Sequence, residues 1–495
     1  MSISAYLRAW ACLAVLIAAS SSILAVQTAC AATVTAGPDV QSSIDAASPG
    51  DTVLVGPGSF GPLTIRKSMT LIGNGSLVRT SGTNACISVE ASGVTVSGFQ
   101  VRDGLYGIRL NNATGCTIEN NTVIGCKQPG IALLFSDNNV IRNNNASFNG
   151  LGGEGWYGIY LSNSNGNLIE DNVANNNGAY GINLFPSCNN NTIRRNVLQR
   201  NMYGLYMFTS CAYNRILEND MSYNTASGLD LRFNCHHNIM KNNSMVGNVV
   251  AGVSYLDCGQ NTLSENVIRG NGRFGIQILG QGSENAIIGN NISASPTGIY
   301  LEPGNNLIYK NRFIDNVKQV QEKERNRWNA PYPEGGNAWS DYAGEDQLSG
   351  PDQDVPGPDG FGDVAYQVSP LSEDRYPVMG ARFQPIVVKK SSIEPSRATV
   401  GENVIIKAWL DATYGITQVS AKLPQASATG YATMNPEGDH YQGRLVTALL
   451  EPGEYQVMVR ARDGRGYELE ENIGRIEIVA RTGRNFDSAM SKIKG

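Results

Sequence analysis

YGIYL at 157–161, YGINL at 180–184 and YGLYM at 203–207 repeat one pattern, with 23 residues between successive glycines. The pattern extends both ways: YGIRL from 106 and PGIAL from 129 precede it, and SGLDL from 227, AGVSY from 251, FGIQI from 274 and TGIYL from 297 follow. Gly107, Gly130, Gly158, Gly181, Gly204, Gly228, Gly252, Gly275 and Gly298 are spaced by 23, 28, 23, 23, 24, 24, 23 and 23 residues. Such a period marks a repeat architecture.

Each repeat holds a second short strand, as in NNTIRRNV from 190, YNRILEND from 213, QNTLSENV from 260 and ENAIIGNN from 284. Both strands alternate apolar and polar residues, the period of a half-buried strand, and no segment between them has the periodicity and length of a crossover helix. Parallel strands recurring this closely can pair only if the chain winds as a solenoid whose coils stack about 4.8 Å apart, so nine coils make a rod of about 40 Å. The predicted class is all-β: a right-handed, single-stranded parallel β-helix.

Asn121, Asn144, Asn172, Asn196, Asn219, Asn243, Asn266, Asn290 and Asn311 occupy one repeat position. A carboxamide can donate to one neighbouring coil and accept from the other, and Asn tolerates left-handed backbone, so this column reads as a structural ladder. Asn74, Asn112, Asn120, Asn145, Asn190, Asn242 and Asn291 stand in N-x-S/T triplets, which the repeat itself generates.

The chain has 495 residues, 55 of them glycine, with 16% charged residues and a formal net charge of -5. That balance supplies no basic stripe for nucleic acid. Residues 1–31 read as a secretory signal: a short n-region to Arg8, an apolar run from Ala9 to Val26, and Ala29-Cys30-Ala31 as the cleavage region. A retained segment would be a membrane anchor instead, while Gln27 weighs against a lipoprotein reading of Cys30. The expected location is secreted, periplasmic or cell surface. Seven cysteines then remain, an odd number that cannot all pair internally.

The expected organisation is a β-helix with an N-terminal cap over 32–320, an irregular Gly/Pro/Asp-rich cap or connector over 321–380, an Ig-like β-sandwich over 381–481 and a polar tail over 482–495. A short helical pattern at Ser42 to Ala47 would close the first rung. After Asn316 the repeat stops, and the charged VKQVQEKERNRW reads as a capping or edge segment. Segments such as NVIIKAWLDA, ITQVSAKL and GEYQVMVRARD, separated by turns at PEGD and EPGE, have the strand spacing of a sandwich.

The opening VQSSIDAASPGDTVLVGPGSFGPLTIRKSMTLIGNG (40–75), the x-G-I-x-L and N-x-I-x-x-N repeats, and GGNAWSDYAGED with DGFGDVAY and EDRYPV (335–378) resemble the CASH-type, NosD-like β-helix family, with its PbH1 repeats and pectin-lyase-like fold. The resemblance covers about residues 38 to 380. It implies carbohydrate binding or hydrolysis and, in one branch, periplasmic copper handling. It specifies fold better than activity.

In each x-G-I-x-L strand the Ile and Leu face the core, so the residue between them faces outward. That row and the row two residues on place Tyr160, Asn183, Phe185, Tyr206, Phe208, Asp230 and Arg232 on one sheet. The insertion at 150–156 would bring Trp156 to its rim. Aromatic faces beside polar groups suit a sugar chain, whereas a sheet of β-formers under a loop needs no ligand. Tyr157, Tyr180, Tyr203 and Phe274 share the parity of the core residues and read as an internal stack.

Hydrolysis would need two carboxylates about 5 to 9.5 Å apart, and Asp230 has no acidic neighbour in its row, although Asp257 follows in the next coil. Asp230 and Arg232 are the catalytic candidates for a lyase, hydrolase or epimerase, against a plain salt bridge. Asp352, Asp354, Asp359 and Asp363 form a calcium-like stretch, though Pro356 stands where a ligand would be expected and Asp is also ordinary turn chemistry. Cys235, His236, His237 and Met240 are the candidate copper ligands, against a column of packed cysteines. The expectation is an exported β-helix that binds a polysaccharide or glycoprotein of the cell envelope or serves structurally; the alternatives are a polysaccharide-active enzyme and a copper-binding protein.

Overall fold

The computed structural model describes residues 31–150, 157–379, 386–412, 415–426, 431–463 and 468–480. The segment expected to be a secretory signal, through Cys30, lies outside the described residues, as do Trp156 and the polar tail.

The glycine repeats align as the sequence predicts. Tyr157, Tyr180 and Tyr203 pair in register, as do Ile159, Ile182 and Leu205. These strands belong to a twelve-stranded parallel sheet, the second strand of each repeat to a thirteen-stranded one, and together they wind a right-handed parallel β-helix. A third face, absent from the sequence reading, consists of a four-stranded and a five-stranded segment connected through the bridging residues Asn145, Val173, Val197 and Asp220. A rung that gives one residue to a sheet shows no alternation to read.

Ile159, Ile182, Leu205, Leu229, Val253, Ile276 and Ile299 form a fully buried column. Each contributes about 1.5–3 kcal/mol relative to exposure. The repeat glycines stand where the strand meets the neighbouring coil: a Cβ on Gly181 would lie 2.6 Å from the Gly204 carbonyl oxygen, and one on Gly204 2.6 Å from that of Gly228.

Three asparagine ladders run along the rod. In the predicted one, Asn196 Nδ2 donates to Asn219 Oδ1 at 2.9 Å and Asn219 Nδ2 to Asn243 Oδ1 at 3.0 Å. The second passes through Asn191, Asn214 and Asn238, and the third through Asn201, Asn224 and Asn248. The left-handed backbone belongs to the residue just before each ladder position rather than to the ladder asparagine, as at Arg195, Glu218 and Asn242. That residue turns the chain through the corner while the asparagine amide satisfies the backbone groups the corner leaves exposed.

The N-terminal cap is an α-helix at Val40–Ala46, two residues ahead of the expected start, because Asp39 caps it through the Ser42 amide at 3.2 Å. Val40 and Ile44 lie buried against the first rung. At the other end, Lys318–Glu322 adds a further strand to the twelve-stranded sheet, so part of the charged segment continues the solenoid. Phe313, Trp339 and Tyr366 then stack at 4.4 and 4.3 Å between ring centres and close the core. Behind them the buried Asp374 carboxylate accepts from the Asn337 amide at 2.6 Å, Trp339 Nε1 at 2.9 Å and the Tyr376 amide at 3.1 Å.

The C-terminal unit has eight strands, from Ile386–Glu394 to Glu468–Val479, in one curled sheet compatible with an Ig-like sandwich. It packs around its own core of Val404, Ile406, Val419, Leu445, Val457 and Ile476. Among the described residues no helix is long and apolar enough to cross a membrane.

Two stability predictions follow from these contacts. Asn219→Ala removes the acceptor for the Asn196 amide and the donor to the Ile193 carbonyl, both buried. It is expected to cost about 2–5 kcal/mol in chemical denaturation, whereas Glu218→Gly, at a left-handed position, stays within about 1 kcal/mol of the parent. Burial pushes the Asp374 carboxyl up to about 6, against the hydrogen bonds that lower it. The folded form therefore keeps a proton that the unfolded chain has lost between pH about 4 and 6, so this group makes folding less favourable as pH rises through that window. Denaturation of the parent and Asp374→Asn across pH 4–7 checks it: the parent should lose stability relative to the variant, and a constant difference contradicts the assignment.

Candidate functional site

The outward side of the twelve-stranded sheet carries an aromatic shelf. Parallel register stacks like positions on successive coils: Tyr160, Asn183, Tyr206, Asp230 and Ser254 form one row, with Phe208, Arg232 and Leu256 in the row beside it. Phe185 leaves its strand just after Leu184, and its ring meets Phe208 at 5.2 Å.

Tyr157, Tyr180 and Tyr203 belong to this shelf, which corrects their reading as an internal stack. Tyr157 stacks on Tyr160 at 4.8 Å and on Tyr180 at 5.2 Å, and Tyr180 continues to Tyr203 at 5.5 Å and Tyr206 at 4.7 Å. Alternation counted back through the glycine fails because Gly158 and Ile159 are both buried, so regular in–out order begins only at Ile159. Phe274 likewise packs against the outward-facing Tyr300 at 5.4 Å. The position before the repeat glycine was the available signal for these residues. Phe233, at the left-handed corner beyond Arg232, closes one side against Phe208 at 5.1 Å and was not anticipated.

The extra tyrosine row covers the row the sequence assigns to solvent: Tyr206 is 7% exposed, Asn183 3% and Asp230 1%. Arg232 Nε donates to Asp230 Oδ1 at 2.8 Å, its Nη2 reaches the Tyr203 hydroxyl at 3.3 Å, and its guanidinium lies 5.5 Å from the Tyr206 ring centre. Burial pushes the Asp230 carboxyl up although Arg232 pulls it down. The Asp230 contact in turn raises Arg232. Burial also raises the phenols of Tyr160, Tyr180, Tyr203 and Tyr206, and that of Tyr157 up to about 12, which keeps them protonated. Asn183 Oδ1 is buried with no hydrogen-bond partner.

Among the described residues the shelf holds one carboxylate, already ion-paired, and Asp257 turns away at a corner to accept the Gln281 amide at 2.9 Å. On the same sheet upstream, a cavity of about 240 Å³ is lined by Thr64, Ser88, Glu90, Tyr106 and Arg109, so polar surface continues beyond the aromatic rungs.

The candidate metal ligands do not converge. Cys235 and Met240 are fully buried in the solenoid core, whereas His236 and His237 stand outside at a corner with their Nδ1 atoms 2.8 Å apart and Tyr213 stacked on His237. Cys188, Cys211, Cys235 and Cys258 are all buried free thiols. Asp359 accepts from the Phe361 amide at 3.0 Å and from Gln353 Nε2 at 2.9 Å, and Asp363 from the Leu348 amide at 3.0 Å. Asp352 faces Arg375 at 3.9 Å and Asp354 is exposed. Among the described residues no three His, Cys, Asp or Glu side chains are grouped to hold a metal ion.

A cell surface glycoprotein of Methanothermus fervidus is 28% identical over 202 residues, 36% of this chain and 32% of that protein, so this chain spans about a third of that relative's length. Among solved structures, the A-module of the Azotobacter vinelandii mannuronan C-5 epimerase AlgE6 superposes with a TM-score of 0.51 at 19% identity, covering 61% of this chain and 92% of the module. That likeness concerns the fold alone. The profile of the family described as periplasmic copper-binding protein (NosD) matches residues 45–228 and 219–344, more than half of the sequence. With its solenoid and the repeats that build it, the chain belongs to the NosD family.

Proposed function

We propose that the protein is an exported cell-envelope or extracellular β-helix that binds a carbohydrate chain along the aromatic shelf. The observation that carries this reading is the run of rings from Tyr157 to Phe208 across successive coils, set beside Asn183 and the Asp230–Arg232 pair. Sugar C–H faces stack on such rings while hydroxyls seek polar groups, and the partly open Arg232 guanidinium offers one. Coils repeating at about 4.8 Å present a long, regular surface, which suits a polymer better than a small solute. Export is supported by the apolar N-terminal segment, the family's periplasmic description and the cell-surface relative.

Binding of the exported chain to a broad array of envelope and extracellular glycans tests this. Tyr180→Ala with Phe208→Ala, both partly open rings, should weaken binding at least about tenfold, or about 1.4 kcal/mol, without loss of fold. No binding across the array would sink the proposal. Release of reducing ends or unsaturated sugars would replace it with a polysaccharide hydrolase or lyase acting on the same face.

A second reading is copper binding, favoured by the two facing Nδ1 atoms of His236 and His237 and by the family's description. Two imidazole nitrogens suit copper, but the interior Cys235 and Met240 do not join them, so the site would be a surface pair. Burial and the neighbouring His237 both lower His236, which keeps it neutral and able to ligate near pH 7. Copper retained through dialysis and lost in His236→Ala with His237→Ala is the expected result; equal copper in the parent and the double variant contradicts it.

A further inference from the structure

The N-x-S/T triplets fall into two structurally distinct sets. Asn112, Asn120, Asn190 and Asn242 are exposed at corners, with φ of 50°, 57°, 57° and 57°. Each lies one residue ahead of a corner turn or ladder asparagine, so none belongs to a ladder. Their third residues, Thr114, Thr122, Thr192 and Ser244, are at least partly open to solvent. In the other three triplets the hydroxyl residue is closed off: Ser76 is 0% exposed and donates to the Val55 and Gly56 carbonyls, Ser147 is 3% exposed and Ser293 1%. The Asn145 and Asn291 Oδ1 atoms are themselves buried.

We propose that Asn112, Asn120, Asn190 and Asn242 are N-glycosylation sites of the folded β-helix, and that Asn74, Asn145 and Asn291 are not. The left-handed corner turns each of the four side chains outward, leaving its carboxamide exposed while the backbone amide still donates to the next coil. A transferase needs both the carboxamide and the hydroxyl two residues on, and only these corners present both. Asn120, Asn190 and Asn242 flank strands of the thirteen-stranded sheet, next to Thr117–Glu119, Thr192–Arg194 and Ile239–Lys241, so glycans there would leave the tyrosine row of the shelf uncovered, while Asn112 follows Ile108–Asn111 of the twelve-stranded sheet, two coils ahead of Tyr157–Ser162. The asparagine nitrogen forms the N-glycosidic bond with the sugar of an activated lipid-linked or nucleotide-linked donor, whose phosphate-bearing carrier departs while the nitrogen loses a proton.

The inference rests on export but not on carbohydrate binding by the shelf. Glycopeptide mapping by mass spectrometry, on protein isolated from the envelope or medium of its own host, tests it site by site. Glycan at the four corners and none at Asn74, Asn145 and Asn291 is the expected pattern. In Thr122→Ala, Thr192→Ala and Ser244→Ala, each variant should lose one glycan mass while the ladder asparagines remain. Bare asparagine at all four corners, or equal occupancy at the three closed triplets, would overturn it. The shelf variants should leave this pattern unchanged, which separates its failure from that of the binding reading.

Discussion

The side-chain amide bond from one coil to the next is the interaction on which the rest of the structure depends. A solenoid of three short strands must turn three sharp corners in every coil, and each corner exposes backbone amides and carbonyls that no sheet can satisfy. A buried group left in that state costs about 1–3 kcal/mol, and the number of such groups grows with every coil. Asparagine meets the demand because one side chain donates and accepts at once: Asn243 Nδ2 reaches the Ile216 carbonyl at 2.8 Å while its Oδ1 receives the Asn219 amide at 2.9 Å. With three such ladders the corners stack in register, and the strands between them stack likewise.

Register is what gives the outer surface its chemical order. A residue type placed at one repeat position returns on the next coil at nearly the same point, so three tyrosines before three glycines become a continuous row of rings. The Asp230–Arg232 pair ends that row, and beyond it Ser254 and Gln277 continue the same line of positions with smaller or more polar groups before Tyr300 restores a ring. The left-handed corner residues obey the same rule: the ladder asparagine after each one faces in, so the corner residue faces out and is free to vary among Asn, Arg, Glu, Tyr and His.

Much of this was legible in the sequence, because close contact between coils admits only glycine at one position and asparagine at another. The period, the coil, one ladder and the outward row of Tyr160, Asn183, Tyr206 and Asp230 all rest on those two demands. The third face was not legible, since Val173 and Val197 each bridge it as single residues. Parity carried through the repeat glycine misplaces Tyr157, Tyr180 and Tyr203 inward, because the glycine and the residue after it are both buried. The copper candidates looked contiguous as Cys-His-His, yet the corner at His237 sends Cys235 and Met240 to the core and both imidazoles to the surface. Neither the aromatic shelf nor the histidine pair needs residues outside ordinary repeat positions, so the sequence offers no motif that singles out one activity.

The central claim is that the shelf between Tyr157 and Arg232 receives a sugar chain. A crystal structure of the exported chain with a bound oligosaccharide tests it most directly. The account predicts pyranose rings stacked on the partly open Tyr180 and Tyr203, with a sugar hydroxyl accepting from the Arg232 guanidinium. Sugar bound elsewhere on the molecule, with the tyrosine row bare, would contradict it.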